Sequence, residues 1–465
     1  MQNFRFMRYI LPILLLMSVC MTGCLNSEDD NTIISSDARV STFTFQTDTA
    51  NPGLKAATYK IEHRSDTGLI HSVDSLPYGT RLDSVIPLVT YMATPGIVNF
   101  VLPDTTITST GVDTMNFNKK PIYLHVIASD METEKWYLID IAAHQTDPNL
   151  FVWQCLTSNL FSPASIPNCQ TKAFRINKQL VVYVNDGLST SIYVSNNGED
   201  WEQKAAHVGT LPVPCHVRDI VQHNDTLFYI DGTYLYTSND MLTWTAVDYT
   251  SASFLPINML MSYNGHAWCL LQDKANEQLQ LGVITDSIRP LTNIVGMTNG
   301  YLPQTFPIND FAALEFSTSS ERPRAMIVGG RSMNGDIVKS RWNLEYTVHT
   351  EGAGVYRLKD FSIAQPTFKA LTGVSIIQYE GRLMMFGGTD NDLAMRSDIL
   401  YSDDEGMNWY LPDTASNQMP ISYISRSNQS VLVDDMSNIY VIGGESHTQT
   451  FGDVYRGFLN SSKWQ

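Results

Sequence analysis

Few side chains in this 465-residue chain are spaced for catalysis. It has no Gly-x-Ser-x-Gly elbow, His-Glu-x-x-His pair, phosphate-binding loop or dinucleotide glycine pattern. Its 10 histidines and 6 cysteines show no metal-ligand spacing, so no metal or other cofactor is expected. Asp390-Asn391-Asp392 begins as a calcium loop does. It lacks the sixth-position glycine and the terminal glutamate, and reads as a solvated hairpin. The residue best placed for chemistry is Cys24. It follows Thr22-Gly23 at the end of an apolar run.

The surroundings of that thiol explain the placement. Arg5 and Arg8 open the chain, and the run from Tyr9 to Cys20 is shorter than the roughly 20 residues of a bilayer span. Met21-Thr22-Gly23-Cys24 resembles the lipobox of bacterial lipoproteins. The resemblance implies that residues 1–23 are a signal peptide cut before Cys24. The Cys24 thiol would take a diacylglyceryl group and its new amine an acyl chain, a stable membrane anchor. Residues 24–37 read as a lipidated flexible tether. Its acidic stretch, Glu28-Asp29-Asp30, resembles the surface-export signal of Bacteroidales-type lipoproteins. The expected location is the outer membrane, at the cell surface, with the periplasmic face as the alternative.

Composition narrows the partners. Asp and Glu number 47 against 30 Lys and Arg, for a formal net charge of −17, which repels polyanions and excludes a nucleic-acid role. Hydrophobic residues at 43% exclude a disordered chain. An exported location permits disulfides, and Cys155 and Cys169 are the nearest pair in sequence. Cys215 and Cys269 sit in apolar runs and read as buried free thiols.

Residues 38–146 carry short alternating runs, each marking a strand with one buried face. Their clearest hairpin joins Ile122–Ala128 to Lys135–Ile141. This closing hairpin resembles the last two strands of Ig-like domains in Bacteroidales lipoproteins, which implies an Ig-like β-sandwich. Trp136 reads as a core aromatic and His125 as a solvent-facing strand residue.

Residues 147–465 repeat a unit. Six apolar runs recur at blade-sized intervals: Leu180–Val184, Leu227–Ile230, Ala267–Leu271, Ala325–Val328, Leu383–Phe386 and Ile439–Ile442. Continuous apolar character suits an inner strand covered on both faces by neighbouring blades. The last three runs lead into Gly329-Gly330, Gly387-Gly388 and Gly443-Gly444. With Tyr401 and Trp409 after the second pair, and Tyr455 and Trp464 after the third, these units resemble Kelch repeats. Trp342 and Tyr356 follow the first pair irregularly, as an insertion would make them. Ser402-Asp403-Asp404-Glu405-Gly406-Met407-Asn408-Trp409 resembles the Asp-box, with Asn408 in place of threonine. That implies structural roles for Ser402, Asp404, Gly406 and Trp409; Ser195–Trp201 and Ser238–Trp244 are shortened versions. Phe174-Arg175-Ile176-Asn177 resembles the Phe-Arg-Ile-Pro of sialidases without its proline, and the rest of the sialidase set is not assigned.

The fold expected is all-β: an Ig-like sandwich followed by a six-bladed β-propeller. The domain pairing resembles a Bacteroidales lipoprotein family of unknown function. A final expectation concerns ring closure. Phe151–Leu156 precedes the first blade and has the Trp-centred look of an outer strand, so it should pair beside the last blade. The favoured function is non-catalytic binding of a glycan or another surface protein by propeller loops. A glycoside hydrolase, with two carboxylates in the central mouth, is the enzymatic alternative. A structural part of an envelope complex is the third class.

Lipid attachment is directly testable. Cys24→Ala should abolish incorporation of an alkynyl fatty acid in cells; equal labelling of wild type and variant would refute the anchor.

Overall fold

The computed structural model describes residues 34–54, 57–161, 169–205, 211–212, 215–249, 251–318, 320, 322–348, 354–412 and 418–460. Cys24, the signal segment and Trp464 lie outside the described residues. Among the described residues there are strands and two short 3-10 turns but no α-helix. The chain divides into two compact units, residues 1–147 and 148–465.

The first unit has eight strands in two sheets. Val40–Phe45 pairs with Pro87–Tyr91. The other six run Tyr59–Glu62, Thr67–Ser72, Glu134–Asp140, Ile122–Ala128, Pro95–Val101 and Thr106–Thr108, with a parallel pair between the second and third. Alternation places Leu124, Val126, Tyr137 and Ile139 in one core with Phe43 and Phe45 of the small sheet. The opposite face holds Trp136. It was expected in the core, but it is half-buried and stacked on His125, ring centroids 4.0 Å apart and planes 8° from parallel. Period-two geometry forces this: its neighbour Tyr137 points inward, so Trp136 points out.

The second unit is a ring of six sheets around a channel. Blades 1 to 3 have four strands each, from Gln170–Ile176 to Glu202–Ala205, Val221–His223 to Thr245–Asp248, and Phe254–Tyr263 to Ile288–Leu291. In blade 4 the strand Ile294–Val295 adds, in parallel, to the outer strand Val355–Asp360 and makes five. Blade 5 has three strands, Ser375–Tyr379, Arg382–Phe386 and Ile399–Ser402. Outside these, residues 408–411 contribute only a bridge between Tyr401 and Tyr410. Blade 6 comprises Ser430–Val433, Ile439–Ile442, Val454–Leu459 and, on its outside, Phe151–Thr157. The strand preceding the ring thus closes it, as the sequence implied, with Trp153 opposite Gly457.

The six apolar runs are the second strand of each sheet, not the innermost. The reason is solvent. The innermost strands border the channel and tolerate polar residues, whereas the second strands have both faces covered by other blades. In Gln179–Asn185 every residue after the first is buried, and Leu279–Ile284, a third strand, is buried throughout. Cys155 and Cys169, the nearest pair in sequence, are both free thiols. Cys155 is exposed on the outermost strand of blade 6, while Cys169 is buried just before the innermost strand of blade 1. Cys215 and Cys269 are buried and free.

Closure makes a stability prediction. Phe151 is buried between blades 5 and 6, and a Cβ on Gly457 would lie 2.3 Å from the Trp153 ring. Phe151→Ala should cost about 3 kcal/mol and Gly457→Val about 2 kcal/mol. Urea denaturation should show the loss in the propeller's main transition; Val152→Ala, at an exposed position, should change it little. A main transition that is unmoved by Phe151→Ala and Gly457→Val would overturn the role of closure.

Candidate functional site

The glycine pairs come first, because they set the geometry of one end of the channel. All three pairs adopt the same left-handed conformations: φ is 66° and 96° at Gly329 and Gly330, 62° and 95° at Gly387 and Gly388, and 67° and 93° at Gly443 and Gly444. Each pair follows a second strand and abuts the next blade. A Cβ at Gly329 would fall 2.4 Å from the Leu371 carbonyl oxygen, and one at Gly387 2.6 Å from that of Arg426. The second glycine of each pair donates its N–H onward: Gly330 to Leu371 O, Gly388 to Arg426 O, and Gly444 to Thr171 Oγ1 of blade 1. These residues are inter-blade stitches.

The Ser402–Trp409 turn is also internally committed. Ser402 Oγ donates to Asp404 Oδ1 and accepts the Gly406 N–H, both at 2.9 Å. Burial opposes ionisation of Asp404, but hydrogen bonds from the Asn408 amide and side chain and from Ser402 outweigh it and hold the carboxyl below its usual range. Trp409 is buried between blades 4 and 5, and Tyr401 and Tyr455 are buried. Ser195 and Asp240 receive backbone N–H groups in the two shorter turns. Asp390 is not solvated as expected. It is buried, accepts the Asp392 and Ala394 amides and pairs with Lys369 at 2.6 Å. Arg175 pairs with Asp435 through both terminal nitrogens, at 2.8 and 2.7 Å. That pair lies at the end of the innermost strand of blade 1 and at the turn between the first two strands of blade 6.

The channel is a cavity of about 620 Å³ lined by the innermost strands of all six blades. Its charge gathers where those strands begin, the end at which the glycine pairs lie. Arg218, in the 3-10 turn Val217–Asp219 before blade 2, reaches Glu445 of blade 6 at 2.6 Å and Asp310 of blade 4 at 3.9 Å. Arg331 approaches Asp310 at 3.6 Å, and Asn428 donates to Glu445 at 2.8 Å. The backbone beneath is shared: Gly373 N–H donates to Asp310 O, and Asn428 N–H to Gly373 O. Asp310, Gly373 and Asn428 occupy equivalent positions in blades 4, 5 and 6, with φ of 52°, 65° and 60°. Asp, Asn and Gly are the types that tolerate this conformation.

Two titratable groups sit deeper on the wall. Burial pushes the Asp219 carboxyl up, against the opposing hydrogen bond of Asn258 and the charge of His216, with Asp310 adding to the rise. Burial pushes the Lys172 amine down, partly offset by Asp219 and reinforced by Arg218. Sequence reading missed this group, because its members come from five blades and share no spacing. Among the described residues no cluster of three or more His, Cys, Asp or Glu is placed to hold a metal ion.

Comparison with known proteins gives the chain a family. The model described as the DUF6242 beta propeller domain matches residues 147–465, and that of the N-terminal domain of DUF6242, a domain of unknown function, matches residues 31–141. The chain belongs to this family. No curated protein matches it. Among solved structures, that of YjhT is similar at 10% identity over 64% of this chain and 96% of that one, with a TM-score of 0.40. A fungal alcohol oxidase of the AA5 family, solved with copper, is similar at 9% identity over 67% and 77%, with a TM-score of 0.38.

The raised Asp219 carboxyl fixes the sign of a pH effect. Its folded pKa exceeds the ordinary 3.8, so the folded state holds the extra proton. The associated stability is complete below 3.8 and is lost as pH rises through the folded value. Asp219→Asn should therefore stabilise the propeller at neutral pH, by on the order of 1 kcal/mol, and the gain should vanish in acid. Urea melts of wild type and variant across that range check it; a variant less stable at neutral pH contradicts it.

Proposed function

We propose that this DUF6242 member is a lipoprotein of the outer membrane, anchored at Cys24 and exposed at the cell surface, whose propeller is a non-catalytic binding module for a glycan. The N-terminal unit, read as an Ig-like sandwich, precedes the module, and the Kelch-like glycine pairs and the Asp-box-like turn serve structure. The observation that carries the reading is the mouth of the channel. Arg218, Asp310, Arg331, Glu445 and Asn428 form one lattice of charges and amides around an open cavity of about 620 Å³. Such a lattice offers many directed hydrogen bonds in fixed positions, the chemistry that recognises sugar hydroxyls rather than a flat apolar partner. Asp310 and Glu445 are each engaged by arginine, which suits anchoring better than acid–base exchange.

One observation favours the glycoside hydrolase alternative. Asp219, whose protonation is favoured by burial, feels the charge of Asp310 in the same mouth, a pairing of acid with carboxylate. Hydrolysis of an oligosaccharide that is lost in both Asp219→Asn and Asp310→Asn would select that reading.

The binding reading is tested with the full-length chain in detergent on a glycan array. Binding to a defined group of glycans is expected, weakened roughly tenfold or more by Arg218→Met. No glycan retained, or retention indifferent to Arg218, would overturn it.

A further inference from the structure

The charges of the channel do not balance at one place. Arg218 commits its two terminal nitrogens to Glu445 and Asp310, and its buried Nε has no partner. Lys172, on the innermost strand of blade 1, lines the same cavity and has no ion-pair or hydrogen-bond partner among the described residues. The two cations also repel each other, since Arg218 acts to depress the Lys172 amine. Asp219 follows Arg218 directly in the chain and its charge acts on the Lys172 amine, but its own ionisation is suppressed by burial. Behind it stands Asn258, 97% buried by its 3% exposure, whose Oδ1 has no partner.

An unpaired ammonium lining the same cavity as a guanidinium, both partly withdrawn from bulk water, is an unfavourable arrangement in a folded protein. A structural role does not account for it, because a neutral side chain of similar length would fill the same space without the cost. A ligand would. An anion held at Lys172 Nζ, within the field of the Arg218 guanidinium, relieves the repulsion and supplies the hydrogen bonds that the ammonium lacks. Asp219, which lines the same cavity, adds a donor or acceptor for neighbouring hydroxyl or amide groups.

The geometry points to Lys172 and Arg218 as the seat of a carboxylate group on a small organic ligand inside the channel. This inference deepens the binding reading above and rests on it: the ligand that the mouth admits is an acidic one, carried by a sugar acid or by the free end of a peptide.

The two sources are separated by matched probes. Glucuronic acid is titrated against glucuronamide, and an N-acetylated dipeptide acid against its amide, into the full-length chain in detergent micelles, followed by calorimetry. One acid should bind roughly tenfold or more tightly than its amide, and which acid does so names the source. Lys172→Met should erase that preference while raising the melting temperature, since it removes an uncompensated, partly buried charge; Lys172→Arg should keep part of the preference. Neither acid preferred over its amide overturns the inference, as does a preference that survives Lys172→Met. A Lys172→Met chain that melts lower than wild type assigns the lysine to structure and likewise overturns it. Glycan-array binding that depends on Arg218 but not on Lys172 would leave the broader binding reading standing while removing this one.

Discussion

The pairing of Phe151–Thr157 with Val454–Leu459 is the contact on which the rest of the propeller depends. Each blade covers an apolar face of the next, so a ring lacking one strand leaves two faces in water. Blade 6 illustrates it. On one side Val431, Ile439 and Val441 pack with Phe386 and Ile399 of blade 5 and with Phe151 of the closing strand. On the other, Tyr440, Ile442 and Val454 pack with Ala173, Leu180 and Val182 of blade 1. The hydrogen bonds of the closing strand hold the two ends of the propeller in one sheet. Burial between blades then supplies most of the stabilisation, at about 25 cal/mol per Å² of apolar surface removed from water.

The mouth of the channel is a product of that closure rather than of any one blade. Arg218 before blade 2 meets Glu445 of blade 6 and Asp310 of blade 4 because the ring brings the beginnings of the innermost strands together. The glycine pairs and the left-handed residues Asp310, Gly373 and Asn428 make the approach close enough. Two buried arginines reinforce the periphery. Arg341 bonds Met407 O of the neighbouring blade, and Arg426 pairs with Asp453 while lying between the rings of Tyr423 and Phe451, 4.2 and 3.8 Å from their centroids. Rigid elements therefore frame a wall that carries its least compensated charges, an arrangement in which stability and ligand binding pull in opposite directions.

What the sequence disclosed follows from what is local. The apolar second strands, the glycine pairs, the Ser402–Trp409 turn and the closing strand each declare themselves within about ten residues, through period, φ preference or turn chemistry. The errors have the same origin. Trp136 was assigned by residue type, when the register of its strand decides its face. Proximity in sequence favours a Cys155–Cys169 bridge, yet one thiol is exposed on blade 6, the other is buried beside blade 1, and both are free. The mouth was not legible at all. Asp310, Gly373 and Asn428 are three residue types united by a backbone angle, and Lys172 and Asp219 meet only where the innermost strand of blade 1 packs against the turn before blade 2.

Closure also has a consequence for how the molecule comes into being. Gln154 and Arg456, which meet across the closing pair, stand 302 residues apart in the chain. A polypeptide emerging from its N-terminus makes the closing strand before any blade, and the edge it must join only after five of them. Until Val454–Leu459 exists, Phe151–Thr157 is an apolar strand without a neighbour, and no order of blade assembly shortens the wait. The final, most non-local contact is also the one that seals both apolar faces, so the ring matures late and all at once. The ring therefore stays open through the making of five blades, and only the arrival of residues 454–459 lets it become a single body.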